Sequence, residues 1–298
     1  MDSQLDIKGV IPAIVTPFTE EDRIDESGLE KLTDYLIKGG VHGIMTTGGT
    51  GEFPHLLREE RKKVTEVVVK TAKGKVPVIA GTAACSTKET ILLSRDAQQV
   101  GADAVIITAP YYFKLPEESL YKHFEMVAKE IDLPIVVYNN PLYTGNNLTP
   151  RLIHQLSEIS NIVGLKQSNP DLGQLVETIR LAGEKLSILT GIDSQFYATL
   201  CVGGRGVFST AACIVPRQMV ALYDAVQKGS HSEALVLHMK LQKLNNFLEY
   251  DPGYVVPCKE ALKMIGLPAG RVRMPLPGLT AQEKNQIQKA LIDLGVLE

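Results

Sequence analysis

The chain is poor in the residues that staple a fold or bind a metal. Its four cysteines, Cys85, Cys201, Cys213 and Cys258, form no Cys-x-x-Cys pair, and no histidine stands at zinc-ligand spacing from them. That argues against a disulfide framework or a zinc module and predicts reduced, buried thiols. The six histidines are scattered, so no metal site is expected. No apolar run approaches the ~20 residues a membrane span needs. The opening MDSQLDIKGV carries acids ahead of any apolar run, unlike a secretory signal. A formal net charge of -3 gives no electrostatic reason to expect nucleic acid or an anionic membrane as partner. There is no Gly-Lys-Ser/Thr to complete a P-loop, no low-complexity tract and no linker long enough to divide domains. The expectation is a cytoplasmic protein that acts on small molecules.

What is present is ordinary globular composition, 44% hydrophobic and 22% charged over 298 residues. That length suits one α/β barrel or two smaller domains. Short apolar, β-branched runs predict strands at Val10–Pro17, Gly43–Thr47, Val76–Thr82, Ala104–Ala109, Pro134–Asn139, Ile162–Ser168, Leu186–Gly191 and Gly206–Thr210. Apolar residues at i, i+3 and i+4, such as Leu29, Leu32 and Leu36, predict a helix after each strand. Those helices fall at Ser27–Gly39, Arg58–Ala72, Ser86–Val100, Pro116–Ile131, Pro150–Glu158, Asp171–Ala182, Gln195–Val202 and Pro216–Gln227. Eight strand–helix units predict a (β/α)8 TIM barrel over residues 1–228, a doubly wound open sheet being the runner-up. Residues 229–298 read as additional C-terminal helices, near Ser232–Glu249, Val255–Met264 and Ala281–Leu294, around a Pro/Gly-rich joint at Arg271–Gly278. They are expected to pack on the barrel as part of one structural unit.

In a barrel, chemistry belongs at the C-terminal ends of the strands. Lys166 is the most informative residue there. It follows Ile162-Val163-Gly164-Leu165 within a strand, where an ammonium is expensive to bury without a partner. Simple alternation places Val163 and Leu165 on one face and Gly164 and Lys166 on the other, which lets Lys166 rise into the barrel mouth. Desolvation favours the free amine of a buried lysine, which is why such lysines form Schiff bases; the alternative is a strand-end lysine that reaches water or a carboxylate. Tyr138 ends the preceding strand, so the two side chains come from neighbouring strands. A phenol beside the amine can shuttle the proton that imine formation requires. The turn Gly48-Gly49-Thr50-Gly51 lets backbone N–H groups converge on an anion, with the Thr50 hydroxyl beside them; a 2-oxo acid carboxylate is a suitable guest. Asp193 and Thr210 stand at the right strand ends to meet substrate hydroxyls. The pair Tyr111-Tyr112 reads equally as pocket lining or interface.

In combination these motifs resemble the dihydrodipicolinate synthase / N-acetylneuraminate lyase family of class I aldolases. The likeness runs from about Lys8 to the final helices. It rests on Gly48-Gly49-Thr50-Gly51-Glu52, on Tyr138-Asn139-Asn140-Pro141 with Thr144-Gly145 after it, and on Gly164-Leu165-Lys166. The resemblance implies that Lys166 forms an imine with pyruvate or a related 2-oxo acid and that Tyr138 is the acid/base. It implies that Gly49 and Thr50 hold the carboxylate, and that Tyr143, Gly191, Asp193, Phe208 and Thr210 line the substrate site. Tyr112 matches a tyrosine that in synthases enters the neighbouring subunit's site as part of a proton relay. No cofactor is implied, and the family is typically a homotetramer built as a dimer of dimers. Two departures stand out. Synthases of the lysine pathway have a threonine where this chain has Gly49, and an arginine where it has Tyr143. The Gly-Gly-Thr-Gly-Glu-Phe turn is similar to that of the family's keto-sugar-acid dehydratases, whose strand-five motif differs.

The leading functional expectation is therefore a Schiff-base lyase or aldolase. It makes or breaks a C–C bond between pyruvate and an aldehyde, preferentially a hydroxylated one. Dihydrodipicolinate synthase proper and a 2-keto-3-deoxy sugar acid dehydratase are the alternatives within the same imine chemistry. A pyridoxal-phosphate barrel fits poorly, because Gly203-Gly204-Arg205-Gly206 precedes the last strand and lies at the wrong end. A non-catalytic 2-oxo-acid-binding protein is the reading from another class.

Overall fold

The computed structural model describes residues 5–249 and 253–298. In chain order the elements are β1 Gly9–Pro12, α1 Glu26–Lys38, β2 Ile44–Thr46, α2 Arg58–Ala72, β3 Val78–Gly81, α3 Thr87–Gln99, β4 Ala104–Thr108, α4 Glu117–Glu130, β5 Ile135–Asn139, α5 Pro141–Thr144, α6 Pro150–Leu156, β6 Ile162–Gln167, α7 Leu172–Ala182, β7 Ser187–Thr190, α8 Phe196–Cys201, β8 Gly206–Ser209, α9 Ala211–Ile214, α10 Pro216–Gln227, α11 His231–Leu248, α12 Val255–Met264 and α13 Ala281–Asp293. Several helices start where a short polar side chain accepts a backbone N–H of the first turn. Asp25, Ser86, Thr149, Asp171 and Thr280 do this for α1, α3, α6, α7 and α13.

All strand pairs are parallel, in the order β1-β8-β7-β6-β5-β4-β3-β2. A parallel bridge between Ala13 and Met45, with Ile14 N–H donating to the Met45 carbonyl at 2.9 Å, joins the two ends and closes the ring. The eight strands and their following helices are the (β/α)8 barrel expected from the sequence. Inside the ring, Ile11, Met45, Ile79, Ile106, Val136, Tyr138, Leu189 and Phe208 form one apolar cluster. Side chains on the other strand face, such as Val105, Val137, Leu165 and Ile188, pack outward against the helices.

The structure corrects three details. First, simple alternation fails in β6. Register shifts between Ile135 and Val136, so Ile135 pairs with Ile162 but Val136 pairs with Gly164. Val163 is the extra residue and joins the interior cluster, while Leu165 packs outward. Second, short elements that the sequence reading did not foresee stand in the connections that follow strands. These are α5, α9 and the 3-10 turns Phe53–His55 and Asp193–Gln195. One or two turns of helix are too short to show a hydrophobic period. Third, Cys213 and Cys258 are buried, but Cys85 and Cys201 are exposed; all four are free.

The C-terminal helices share their core with the barrel. Leu241, Leu244, Cys258, Leu262, Ile287 and Leu291 belong to one buried cluster with Val10, Ile14, Leu32 and Phe196. On this basis we propose that 1–228 and 229–298 form a single structural unit. One polar tie between them is an ion pair with almost no exposure. Lys259 of α12 places Nζ 2.5 Å from Glu52 Oε1 and donates to the Arg271 carbonyl at 2.7 Å. The other Glu52 oxygen accepts from Arg273 N–H at 2.9 Å. Burial pushes the Lys259 ammonium down to about 8, against the opposing attraction of Glu52. Removing one member of such a pair strands a buried charge, at a cost of about 3–5 kcal/mol. Glu52→Gln is therefore expected to lose that much unfolding free energy in urea, with Glu52→Gln/Lys259→Met regaining part of it. An unfolding midpoint equal to wild type in Glu52→Gln would show that the pair contributes nothing.

Candidate active site

Lys166 and Tyr138 lie directly opposite each other in the β5–β6 register. Strand pairing thus fixes an amine and a phenol side by side at the rim. Lys166 is 6% exposed. Its Nζ is 3.9 Å from Met45 Sδ, 4.3 Å from the centre of the Tyr138 ring and 5.6 Å from that of Phe208. Its immediate neighbours are thus a thioether and two aromatic faces, unlike the carboxylate that holds Lys259. Gly191 makes room for this side chain. A Cβ there would stand 2.5 Å from Lys166 Cε and 2.1 Å from Ser168 Oγ. The Tyr138 hydroxyl accepts from Asn140 Nδ2 at 3.0 Å and from Ser168 Oγ at 3.5 Å. With both lone-pair directions taken, its own O–H is free to serve a substrate atom.

The Gly-rich turn after β2 is pinned from both sides. Thr16 Oγ1 donates to the Gly51 carbonyl and Thr47 Oγ1 to the Gly81 carbonyl, each at 2.8 Å. Thr47 and Glu52 adopt left-handed backbone, φ 46° and 59°. At its tip Thr50 is buried, its hydroxyl 3.0 Å from that of Thr210. Asp193 differs from the expectation that it meets substrate hydroxyls. One carboxylate oxygen accepts from Ser209 Oγ at 2.5 Å, and the other from the N–H groups of Thr210 and Ala211 at 3.0 Å each. The group is committed to holding the start of α9, and burial pushes its carboxyl up from the ordinary range.

A cavity of about 580 Å³ joins these parts. Of the residues singled out in the sequence, Gly49, Thr50, Tyr138, Tyr143, Lys166, Gly191, Asp193 and Thr210 line it. Phe208 does not; it lies beneath Lys166, inside the barrel. Tyr112 does not either. It is 86% exposed at φ 85°, an uncommon backbone conformation for a bulky residue. Sequence reasoning missed Asn140, Ser168, Glu249 and Tyr254, all of which line the cavity. Asn140 and Ser168 sit within motifs already noted and could have been read there. Glu249 and Tyr254 come from the C-terminal helices and carry no local signal. Among the described residues, no group of three or more His, Cys, Asp or Glu is placed to hold a metal ion, and no helix is long and apolar enough to cross a membrane.

The chain matches the Dihydrodipicolinate synthetase family over residues 6–294. It belongs to that family. A 4-hydroxy-tetrahydrodipicolinate synthase of Methanocaldococcus jannaschii is 43% identical over 293 residues, covering 97% of this chain and 99% of the relative. A crystal structure of a dihydrodipicolinate synthase superposes with a TM-score of 0.93 at 43% identity, over 98% of this chain and all of the other. A prophage protein of the same family from Escherichia coli K12, solved in complex with pyruvate, superposes with a TM-score of 0.93 at 35% identity, over 97% of this chain and 99% of the other. The protein is thus an enzyme of the class I type, a lyase that works through a lysine Schiff base. In that chemistry the position of the amine sets the rate, and displacement by about 1 Å can cost about 10²-fold. Gly191→Ala, whose methyl group collides with Lys166 Cε, is expected to lower turnover by about that factor without unfolding the protein. Undiminished turnover in a folded Gly191→Ala would show that Lys166 does not need this space.

Proposed function

We propose that Lys166 forms the imine with pyruvate and that the enzyme makes or breaks a C–C bond between the resulting enamine and an aldehyde. The observation that carries this reading is the buried amine of Lys166, facing apolar and aromatic groups and in register with Tyr138. In it, Tyr138 delivers a proton to the carbinolamine oxygen so that water leaves. The imine then acidifies the pyruvate methyl group; the Tyr138 phenolate left by that step takes a methyl proton, and the methylene carbon of the resulting enamine becomes the nucleophile towards the aldehyde. Thr50 and Thr210, joined by their hydroxyls, flank the pyruvate carboxylate. Tyr112 faces solvent in its own chain, which fits a side chain delivered to the site of a second copy; a homotetramer is the assembly we propose.

Two acceptor readings remain in competition, and each has its own support. The 4-hydroxy-tetrahydrodipicolinate synthases to which the chain is similar favour that synthase reaction, with aspartate semialdehyde as acceptor. The cavity favours a hydroxylated aldehyde. It offers the phenol of Tyr143 where a synthase has an arginine, and Lys166 is the only cation among its described lining residues. A phenol gives one neutral hydrogen bond where a guanidinium gives a charged fork.

Borohydride reduction in the presence of pyruvate is expected to modify Lys166 and no other lysine, and Lys166→Ala to abolish both trapping and turnover. Tyr138→Phe is expected to slow trapping by about 10²–10⁴-fold, the usual contribution of general acid–base catalysis. Modification of another lysine, or rapid trapping in Tyr138→Phe, would overturn the assignment. For the acceptor, kcat/KM is to be measured on aspartate semialdehyde and on glyceraldehyde. The missing charged hydrogen bond, about 1.5–3 kcal/mol, is expected to cost aspartate semialdehyde one to two decades, and Tyr143→Arg to restore part of it. Aspartate semialdehyde proving the better wild-type substrate would decide for the synthase.

A further inference from the structure

Tyr254, the residue before α12, is the side chain that answers Gly49. A Cβ at position 49 would stand 2.1 Å from the Tyr254 hydroxyl oxygen, so this phenol occupies the space that any larger residue 49 requires. The Tyr254 ring stands edge-on to Tyr143, with centroids 6.1 Å apart and planes at 84°. The two rings line two cavities that both also touch Gly49, Tyr138 and Asn140. One, of about 580 Å³, contains Lys166; the other, of about 410 Å³, runs towards Phe53 and Leu276. The Tyr143–Tyr254 pair thus lines the end of the Lys166 cavity that borders the second one.

The chemistry of that end is one-sided. Burial pushes the Tyr254 hydroxyl well above the ordinary phenol range, and the neighbouring Tyr138 and Tyr143 push it further, so it stays a neutral donor. The carboxylates lining the same cavity are already engaged. Asp193 holds the β8–α9 turn, and Glu249 accepts from Ser194 N–H at 2.7 Å and Ser194 Oγ at 2.6 Å. An anionic acceptor tail would meet two carboxylates there and no cation beyond Lys166 among the described residues. A neutral hydroxyl or carbonyl oxygen would meet phenol donors.

We propose that Tyr254 is a specificity-determining residue that hydrogen-bonds a hydroxyl oxygen of the acceptor aldehyde, from the place that Gly49 leaves open. The proposal rests on the pyruvate–aldehyde reading and adds the residue that selects the aldehyde. The test compares wild type, Tyr254→Phe, Gly49→Thr and Gly49→Thr/Tyr254→Ala on two readouts. Borohydride trapping with pyruvate alone reports on the imine, and kcat/KM for glyceraldehyde and aspartate semialdehyde reports on the acceptor. Tyr254→Phe keeps the ring and loses only the hydroxyl. It is expected to lose about 3–10-fold in kcat/KM for glyceraldehyde, mainly through KM, and to lose less for aspartate semialdehyde. Gly49→Thr is expected to crowd the phenol and lose more than Tyr254→Phe, with the double variant recovering no further than the level of Tyr254→Phe, because the clash is relieved but the hydroxyl is absent. Equal losses on both aldehydes in Tyr254→Phe, no loss on either, or a Gly49→Thr variant as active as wild type would overturn the proposal. Wild type that traps pyruvate but turns over neither aldehyde would also overturn it. Failure to trap pyruvate on Lys166 in wild type would instead overturn the Schiff-base assignment on which it rests.

Discussion

One extra residue in β6 decides which way the Lys166 amine points. Ile162 packs outward and Val163 inward, so strict alternation from there would turn Lys166 into the helix layer. The register shift opposite Ile135 and Val136 inserts a residue, reverses the phase and returns Lys166 to the interior, opposite Tyr138. Everything chemical follows from that phase. The amine acquires aromatic and thioether neighbours, Gly191 becomes necessary beneath its stem, and the phenol of Tyr138 comes within reach of whatever the amine attacks. Small local irregularities of this kind recur beside active sites because they re-aim one side chain while leaving the sheet closed.

The barrel itself was legible, because eight apolar β-branched runs separated by helical periods leave few other architectures. The lysine strand and the Tyr-Asn-Asn-Pro turn were legible for a different reason: an ionisable or polar group in an apolar run demands an account. The bulge was not, since Val163 is as apolar as the residues on either side of it, and only the partner strand reveals the change of phase. Asp193 was legible as a strand-end carboxylate but not in its use. Its partners Ser209, Thr210 and Ala211 come from the next strand end, and only the closed ring brings them to it. Tyr254 was the least legible. Its importance is a distance to a glycine more than two hundred positions earlier, and a sequence carries no sign of such a meeting.

The departures from the synthase pattern at positions 49 and 143 look independent in sequence and prove to be neighbours in space. Tyr143 packs edge-on against Tyr254, and Tyr254 fills the space at Gly49. The glycine, the strand-five tyrosine and the extension tyrosine therefore form one packed unit. Substitutions at these three positions are therefore expected to be non-additive, each changing the packing that the others meet.

The C-terminal helices carry a consequence for biosynthesis. Both Tyr254 and Lys259 belong to a stretch that leaves the ribosome after every barrel strand has been made. A nascent chain ending at α10 has the amine, its phenol and a complete ring of strands. It lacks the wall that closes the cavity and the ammonium that neutralises Glu52. Until that stretch emerges, the His55 ring at 3.8 Å is what stands beside that carboxylate, while the turn that bears Thr50 already has its threonine hydrogen bonds to Gly51 and Gly81. The cavity is in this sense completed by helices that are made after the strands that support it.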